Sequence, residues 1–529
     1  MFDYIIKNGL IVDGTGNKGF LGDVGIQDGE IKSVGNRIDE PAKRTIDATG
    51  VIVSPGFIDI HSHSDLCPFL PGLNPQSKLF QGIVLEIIGN CGISNLPVDN
   101  ASREYLTEYM SATLELPMGD LQLEDDSITD YAEHIRQQPA ATNVGVLIGH
   151  GCLRGCVMGL GMRPASNEEL EKMKQLLDRE LTRGAFGMSL GLIYPPSSYG
   201  DIKEFVELAK VLKKHEAILT VHMRSESTKI FEALDEMLEV TRLSNVHLEI
   251  SHLKLMGKPQ WGRAKELLNK IKAAQAEGLN INCDQYPYTA TSTGLSALVP
   301  KWAQDGGPEE MCLRLAKPEP KLLAEIAAEM ERRGGAHAVL VTSTQGKQRE
   351  FDGLRLDEIA KKMQLSPEEA AAKLLNTTGG GAHCCYFSLN EDDMLTIMKE
   401  KFISLGTDGY ALSYDKGYLG TNPHPRSFGT FPRFLQTVRE HSLMPIEDAV
   451  YKITGLPASV LGLKDRGTLK IGNKADITLF NAQTIEDLSK YTDSLQKPKG
   501  IKMVMIDGKI ALQDGEQIGG RFGHVVLHK

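Results

Sequence analysis

Eight apolar strand-like runs alternating with helical stretches, and short Gly- and Asp-punctuated strands at both chain ends, predict an α/β fold. The architecture they imply is a TIM-like (β/α)8 barrel with a small β-sandwich domain built from both termini. A length of 529 residues suits a large barrel with a satellite better than one small core.

Residues 1–54 supply the first part of the small domain, with the strands DYIIKNGLIVDG, GDVGIQDGEIKSVG and RTIDATGVIVSPG separated by turn residues. The barrel is expected over 55–464. Its strands are GFIDIH (56–61), GIVLEIIGNC (82–91), NVGVLIGH (143–150), GAFGMSL (184–190), EAILTVH (216–222), NVHLEISH (245–252), LNINCDQY (279–286) and FISLGTD (402–408). One connecting helix can be read in detail. Ser166 and Glu169 make a capping box, Leu170, Met173, Leu176, Leu177 and Leu181 make the apolar face, and Gly184 ends it. The stretch from about 290 to 400 is too long for a plain crossover and is expected to be an insertion at the barrel mouth, a candidate lid. Its spare strand, AVLVTS, leaves the barrel count open by one. Residues 465–529 return to short strands, GTLKIGNKADITLF, IKMVMIDGKIAL and HVVLHK, and complete the small domain.

Composition excludes several function classes. The chain is 41% hydrophobic and 24% charged with a net charge of −11 and no basic run, so neither nucleic acid nor an anionic membrane is an expected partner. No apolar run approaches the roughly 20 residues of a membrane span. The N-terminus has no signal-peptide pattern, and eight irregularly spaced cysteines do not make a disulfide framework, so a cytoplasmic setting is expected.

The chemistry gathers where the strands end. In GFIDIHSHSD, strand alternation puts Asp59, His61 and His63 on one face. The second strand ends in Cys91, the fifth in His222, the sixth in His252 and the eighth in Asp408. A lone His or Cys at a strand end is more often a satisfied core residue than a ligand. Six such residues at the C-terminal ends of barrel strands, where active sites form, reverse that balance and predict a metal site of imidazole, thiolate and carboxylate. His150 also ends a strand and is a candidate to support the ligands from behind, although like the remaining histidines it is closer to an ordinary structural residue. Glu86 interrupts an apolar strand, a costly position unless it faces the interior and is paired. Lys254, two residues after His252, shares its face, although a solvated lysine is the commoner fate. Arg224 and Glu226 carry no assigned role.

The motifs HSHSD after PGFID, GNCG, VHMRSE, SHLK, GTDG and GTLKIGNKADI together resemble the amidohydrolase superfamily. Within it, GNCG, GLIYPPSSY, DQYPYTATSTGLSALVP and HPRSFGTFPRFL resemble the D-aminoacylases (N-acyl-D-amino-acid deacylases), which use a cysteine where other members carry a modified lysine. The one departure, Val84-Leu85 in place of two threonines, precedes the ligand.

The resemblance implies a tightly held zinc on Cys91, His222 and His252, and a second, weaker site on His61, His63 and Asp408 with Cys91 able to bridge. It implies Asp408 as the catalytic base and acid, and Tyr194, Lys254, Tyr286 and Ser292 as substrate-binding residues around the carboxylate of a small N-acyl amino acid. The reaction implied is hydrolysis of an N-acyl-D-amino acid to a carboxylate and a free D-amino acid. Alternatives are a cyclic-amide hydrolase, an acyl-dipeptide hydrolase and a non-catalytic scaffold; the scaffold should lack ligands, and all six are present. Because Leu295, Ala297, Leu298 and Val299 follow Ser292, neutral or apolar side chains are expected to be favoured over acidic ones. The opposing expectation is that these residues pack in the insertion's core and a distant arginine reaches the pocket.

Overall fold

The computed structural model describes residues 1–116, 121–416 and 422–529. At the N-terminus lie β1 (Phe2–Ile11), β2 (Phe20–Gln27), β3 (Glu30–Gly35), β4 (Ala42–Asp47) and β5 (Ile52–Pro55). They share one nine-stranded sheet with four strands from the other end of the chain, β17 (Ile477–Phe480), β18 (Ile501–Ile506), β19 (Lys509–Gln513) and β20 (Glu516–Gln517). The junction is β5, which runs parallel to β1 and antiparallel to β17, pairing Pro55 with Ile477. Ile6, Val24, Ile26, Ile477, Met503 and Met505 give this unit a core of its own.

From Pro55 the chain turns into the barrel at Gly56, where a side chain would meet Val84 at 2.4 Å. The barrel strands are β6 (Phe57–Asp59), β7 (Ile83–Ile88), β8 (Asn143–Gly149), β9 (Gly187–Gly191), β10 (Ile218–His222), β11 (His247–Ile250), β12 (Ile281–Gln285) and β16 (Ile403–Leu405). Each run read as a barrel strand from the sequence contains one of them, except that β9 runs one residue past GAFGMSL, and they lie in parallel order β6 to β12 and then β16. β7, with its six residues all buried, shows why these runs are apolar on both faces: one side fills the barrel and the other meets helices. The helix Asn167–Thr182 begins with the expected Ser166/Glu169 capping box.

AVLVTS does not join the barrel. It forms β14 (Val339–Ser343), which with β13 (Thr291–Gly294) and β15 (His383–Tyr386) makes a three-stranded antiparallel sheet inside the insertion. Leu295, Leu298, Ile326, Val341, Leu356 and Leu375 belong to a separate core there, so the insertion packs as a unit over the barrel mouth. HVVLHK also departs from expectation. It makes an isolated bridge at Val525–Val144, next to one at Gly523–Ala140, and Val525 packs on the barrel core, so this stretch caps the barrel rather than extending the small domain. Among the described residues no helix is long and apolar enough to cross a membrane.

The first and last barrel strands meet through polar groups. Asp408 N–H donates to the His61 carbonyl at 2.7 Å and His63 N–H to the Gly409 carbonyl at 2.9 Å. Behind them Lys78, fully buried, donates to Asp59 Oδ2 at 2.6 Å, Thr407 Oγ1 at 2.6 Å and Ser62 Oγ at 2.9 Å. Glu86 accepts from Ser62 and Thr142, both at 2.7 Å, and lies 3.6 Å from Lys78, so this carboxylate is indeed interior and paired. A buried ion pair adds little over apolar packing, but removing one partner strands the other charges. Lys78→Met is therefore expected to lower the unfolding free energy by about 3–5 kcal/mol. Urea unfolding measures this, and a variant as stable as the parent would show that the cluster does not close the barrel.

Candidate metal centre and substrate pocket

Three of the strand-end residues leave the extended conformation abruptly. Cys91, His252 and Asp408 have φ of 54°, 38° and 50°, in the left-handed region that costs a residue with a side chain roughly 1–3 kcal/mol. The surroundings hold them there: His252 N–H donates to Asp284 Oδ1 at 2.8 Å, and a side chain on Gly191 would lie 1.8 Å from the Cys91 carbonyl. The sharp turn aims each side chain at the barrel axis.

There the six expected donors converge, all buried. Cys91 Sγ lies 3.3 Å from His61 Nε2, 3.4 Å from His252 Nε2 and 3.8 Å from His222 Nδ1. Bonds of about 2.3 Å to sulfur and 2.0–2.1 Å to nitrogen in a tetrahedral site place neighbouring donors about 3.5 Å apart, so these separations fit zinc. His63 Nε2 and His61 Nε2 lie 3.0 and 3.4 Å from Asp408 Oδ1. The donors form two overlapping groups, Cys91–His222–His252 and His61–His63–Cys91–Asp408, each with its donor atoms within 4.8 Å of one another. Burial alone would raise the Cys91 thiol, but His61 and His252 hold it well below the usual thiol range, which favours the thiolate a metal needs. The residues fit the implied group.

Carboxylates orient the rings from behind. His61 Nδ1 faces Asp284 Oδ2 at 3.1 Å, and His252 Nδ1 faces Glu226 Oε1 at 3.0 Å. Such partners fix which ring nitrogen is free for a metal. His150 is not among them. It begins the helix that follows β8, and its ring bridges Ser197 Oγ at 2.8 Å and Glu204 Oε1 at 2.7 Å, tying down the loop that carries Tyr194.

A pocket of about 360 Å³ opens from this centre. Tyr194, Lys254, Tyr286, Ser292 and Asp408 all line it. The Tyr194 hydroxyl shares a 2.9 Å hydrogen bond with Thr293 Oγ1. The Tyr286 hydroxyl is buried with no hydrogen-bond partner among the described residues, and its ring lies between Lys254 and Arg426, 5.8 and 5.3 Å from the centroid. Lys254 is no solvated lysine: buried, it donates to Glu226 Oε1 at 2.5 Å and lies 2.7 Å from His252 Nδ1. Burial would push Glu226 up, but Lys254, His222 and His252 hold it well below the usual carboxylate range.

The expected apolar wall is divided. Ala297, Leu298 and Val299 line the pocket, but Leu298 and Val299 also pack in the insertion's core, to which Leu295 belongs without reaching the pocket. Cations also reach the pocket, but Arg332 and Arg333 both bond Glu329, and Arg224 is held by Glu236. Lys301 donates to the Leu192 carbonyl at 3.1 Å, makes no ion pair among the described residues, and is pushed down to about 8 by burial with help from Arg224.

Sequence reasoning gave no role to Asp284, Glu226 or Arg426. Asp284 had a signal, since it lies two residues before Tyr286 on the same strand face. Arg426 had none. It donates through Nη1 to Asp408 Oδ2 at 2.5 Å and through Nη2 to the Ser292 carbonyl at 3.1 Å, from the start of the helix Arg426–Glu440. Burial would raise Asp408, yet Arg426, His252 and His61 hold it well below the usual carboxylate range.

Known proteins resemble this chain over nearly its whole length. A family profile described as "Amidohydrolase family" matches residues 410–512. D-aminoacylase of Alcaligenes xylosoxydans xylosoxydans is 32% identical over 99% of this chain and 97% of its own length. N-acyl-D-glutamate deacylase of the same organism is 33% identical over 96% of this chain and 93% of its own. The crystal structure of N-acyl-D-glutamate deacylase from Bordetella bronchiseptica, complexed with zinc and a phosphonate mimic of the tetrahedral intermediate, superposes with a TM-score of 0.83. It is 29% identical, and the match covers 99% of each chain.

Proposed function

This chain belongs to the D-aminoacylase family of amidohydrolases, and on that premise we propose that it is a metal-dependent hydrolase of N-acyl-D-amino acids, releasing a carboxylate and the free D-amino acid. The observation that carries the reading is the pair of donor groups sharing Cys91, set against a pocket that presents Asp408, Lys254 and the unpartnered Tyr286 hydroxyl.

Cys91, His222 and His252 would hold one zinc tightly. His61, His63 and Asp408, with Cys91 shared, would hold a second more weakly. Bound zinc supplies Lewis acidity toward the amide carbonyl and toward water. Asp408 takes the proton from the attacking water and delivers it to the departing nitrogen. Its low pKa suits the second half of that task, because an amide releases its amine only when the nitrogen is protonated, and the acid form of Asp408 gives up its proton readily. Lys254, the Tyr286 hydroxyl, Ser292 and Arg426 bind the substrate's carboxylate; Tyr194, with its ring against His222, bounds the space over the scissile bond.

For the side chain, the pocket favours neutral or apolar groups. The arginines are already committed to Glu329 and Glu236, and Lys301, tied to the Leu192 carbonyl and with its charge disfavoured by burial, is a weak partner for a second carboxylate. Purified zinc-loaded protein is expected to turn over N-acetyl-D-leucine with a higher kcat/KM than N-acetyl-D-glutamate and to leave N-acetyl-L-leucine intact. If glutamate wins, the preference is wrong, and Lys301→Met should then remove the glutamate activity selectively. Turnover of neither D substrate would overturn the deacylase reading itself.

A further inference from the structure

A second cavity, of about 50 Å³, lies beyond Tyr194. Its walls include Ala112, Leu160, Pro195, Pro196, Pro308 and Met311, so it is largely apolar, and it lies between the helix Arg103–Thr113, the loop after β9 and the insertion. It adjoins the catalytic centre through shared walls. Thr113, Tyr194 and Thr293 line this cavity and also the small chamber walled by His63, Cys91 and Asp408. Tyr194, Thr293 and Gln304 likewise line both it and the substrate pocket. Tyr194 and Thr293, common to all three spaces, stand between them and are joined to each other by a neutral hydrogen bond of 2.9 Å.

The geometry points to this cavity as the subsite for the acyl tail of the substrate, one suited to a short aliphatic acyl group. The inference rests on the deacylase reading above. Two substituents flank a scissile amide held at Asp408, and they need different surroundings. The amino-acid half carries a carboxylate and must face Lys254 and Tyr286, which line the substrate pocket and not this cavity. The acyl half carries no charge and gains from apolar walls. Met311 can adjust to the tail's shape, while Pro195 and Pro196 fix the opposite wall. The cavity is small, which limits the tail to a short one.

The test is a chain-length series on the zinc-loaded wild-type protein, using N-acetyl-, N-propionyl-, N-butyryl- and N-octanoyl-D-leucine. Each methylene from acetyl to butyryl is expected to raise kcat/KM about threefold to fourfold, with no further gain at octanoyl. Ala112→Leu fills the cavity from a half-buried helix position and should bring the butyryl-to-acetyl ratio back toward one. Ala112→Met serves as a second, more adaptable filler if the leucine variant folds poorly. A flat series in wild-type protein that hydrolyses N-acetyl-D-leucine overturns the subsite while leaving the deacylase reading intact. So does an Ala112 variant that changes preference among D side chains rather than acyl groups. Absence of turnover with every member of the series overturns both.

Discussion

Asp408→Asn should cut turnover by about a hundredfold or more, the usual worth of a positioned proton carrier. The amide keeps the shape of the side chain and can still accept from Arg426, whose Nη1 lies 2.5 Å from Oδ2. What it loses is the ability to take a proton and pass it on. Because Cys91, His222 and His252 form a complete group without Asp408, the tightly held zinc should remain at full occupancy, while any second metal near His61 and His63 should be weakened. Metal content by elemental analysis and kcat measured on the same sample separate the two effects. Near-normal kcat with one zinc bound would move the proton carrier to another group. Loss of the tight zinc would mean that Asp408 holds the metal rather than the proton. Glu226 is a poor substitute as proton carrier, since its Oε1 is already engaged by Lys254 and faces His252.

Much of this site is legible in the sequence for a definite reason. A buried parallel strand is apolar along its length, so a His, Cys or Asp one step past the run stands out, and the barrel carries all such ends to one face. His61, Cys91, His222, His252 and Asp408 were readable on that ground alone. Contacts between distant segments leave no such mark. Lys78 reaches Thr407 across 329 positions, and nothing in SKLF indicates that its lysine is the most enclosed charge at the barrel seam. Arg426 lies only 18 residues from Asp408, but at a helix start where no period relates the two. His150 misled because β8 stops at Gly149; the next residue turns into a helix and points at Glu204 instead of the axis. Leu295 misled for a different reason. The insertion has an apolar core to fill, and a leucine just after β13 is closer to that core than to the substrate pocket.

Removing the metal should abolish activity, and Cys91 is the residue through which that dependence can be tested most sharply. Cys91 belongs to both donor groups, so no other single substitution takes a ligand from each except by disturbing the fold. Without its sulfur the tight site keeps two imidazoles, His222 and His252, too few for the four-coordinate geometry zinc prefers. The loss should exceed by a wide margin the roughly 10- to 100-fold that removal of an outer hydrogen-bond partner costs. Cys91→Ala is therefore expected to be purified without bound zinc and with turnover at the assay background. Prolonged dialysis of the wild-type protein against a strong chelator should give the same inactive state, reversed when zinc is returned. In the variant, added zinc should restore nothing. Thermal unfolding of the zinc-free wild type provides the control for folding: stability should fall when zinc is removed, because a ligand that binds the native state stabilises it. Cys91→Ala should melt close to the zinc-free protein, since the alanine replaces a thiolate surrounded by imidazoles and still has to adopt the left-handed backbone at φ 54°. Full activity in metal-free wild-type protein would refute metal dependence outright. An active Cys91→Ala that retains zinc would shift the tight site to His61, His63 and Asp408.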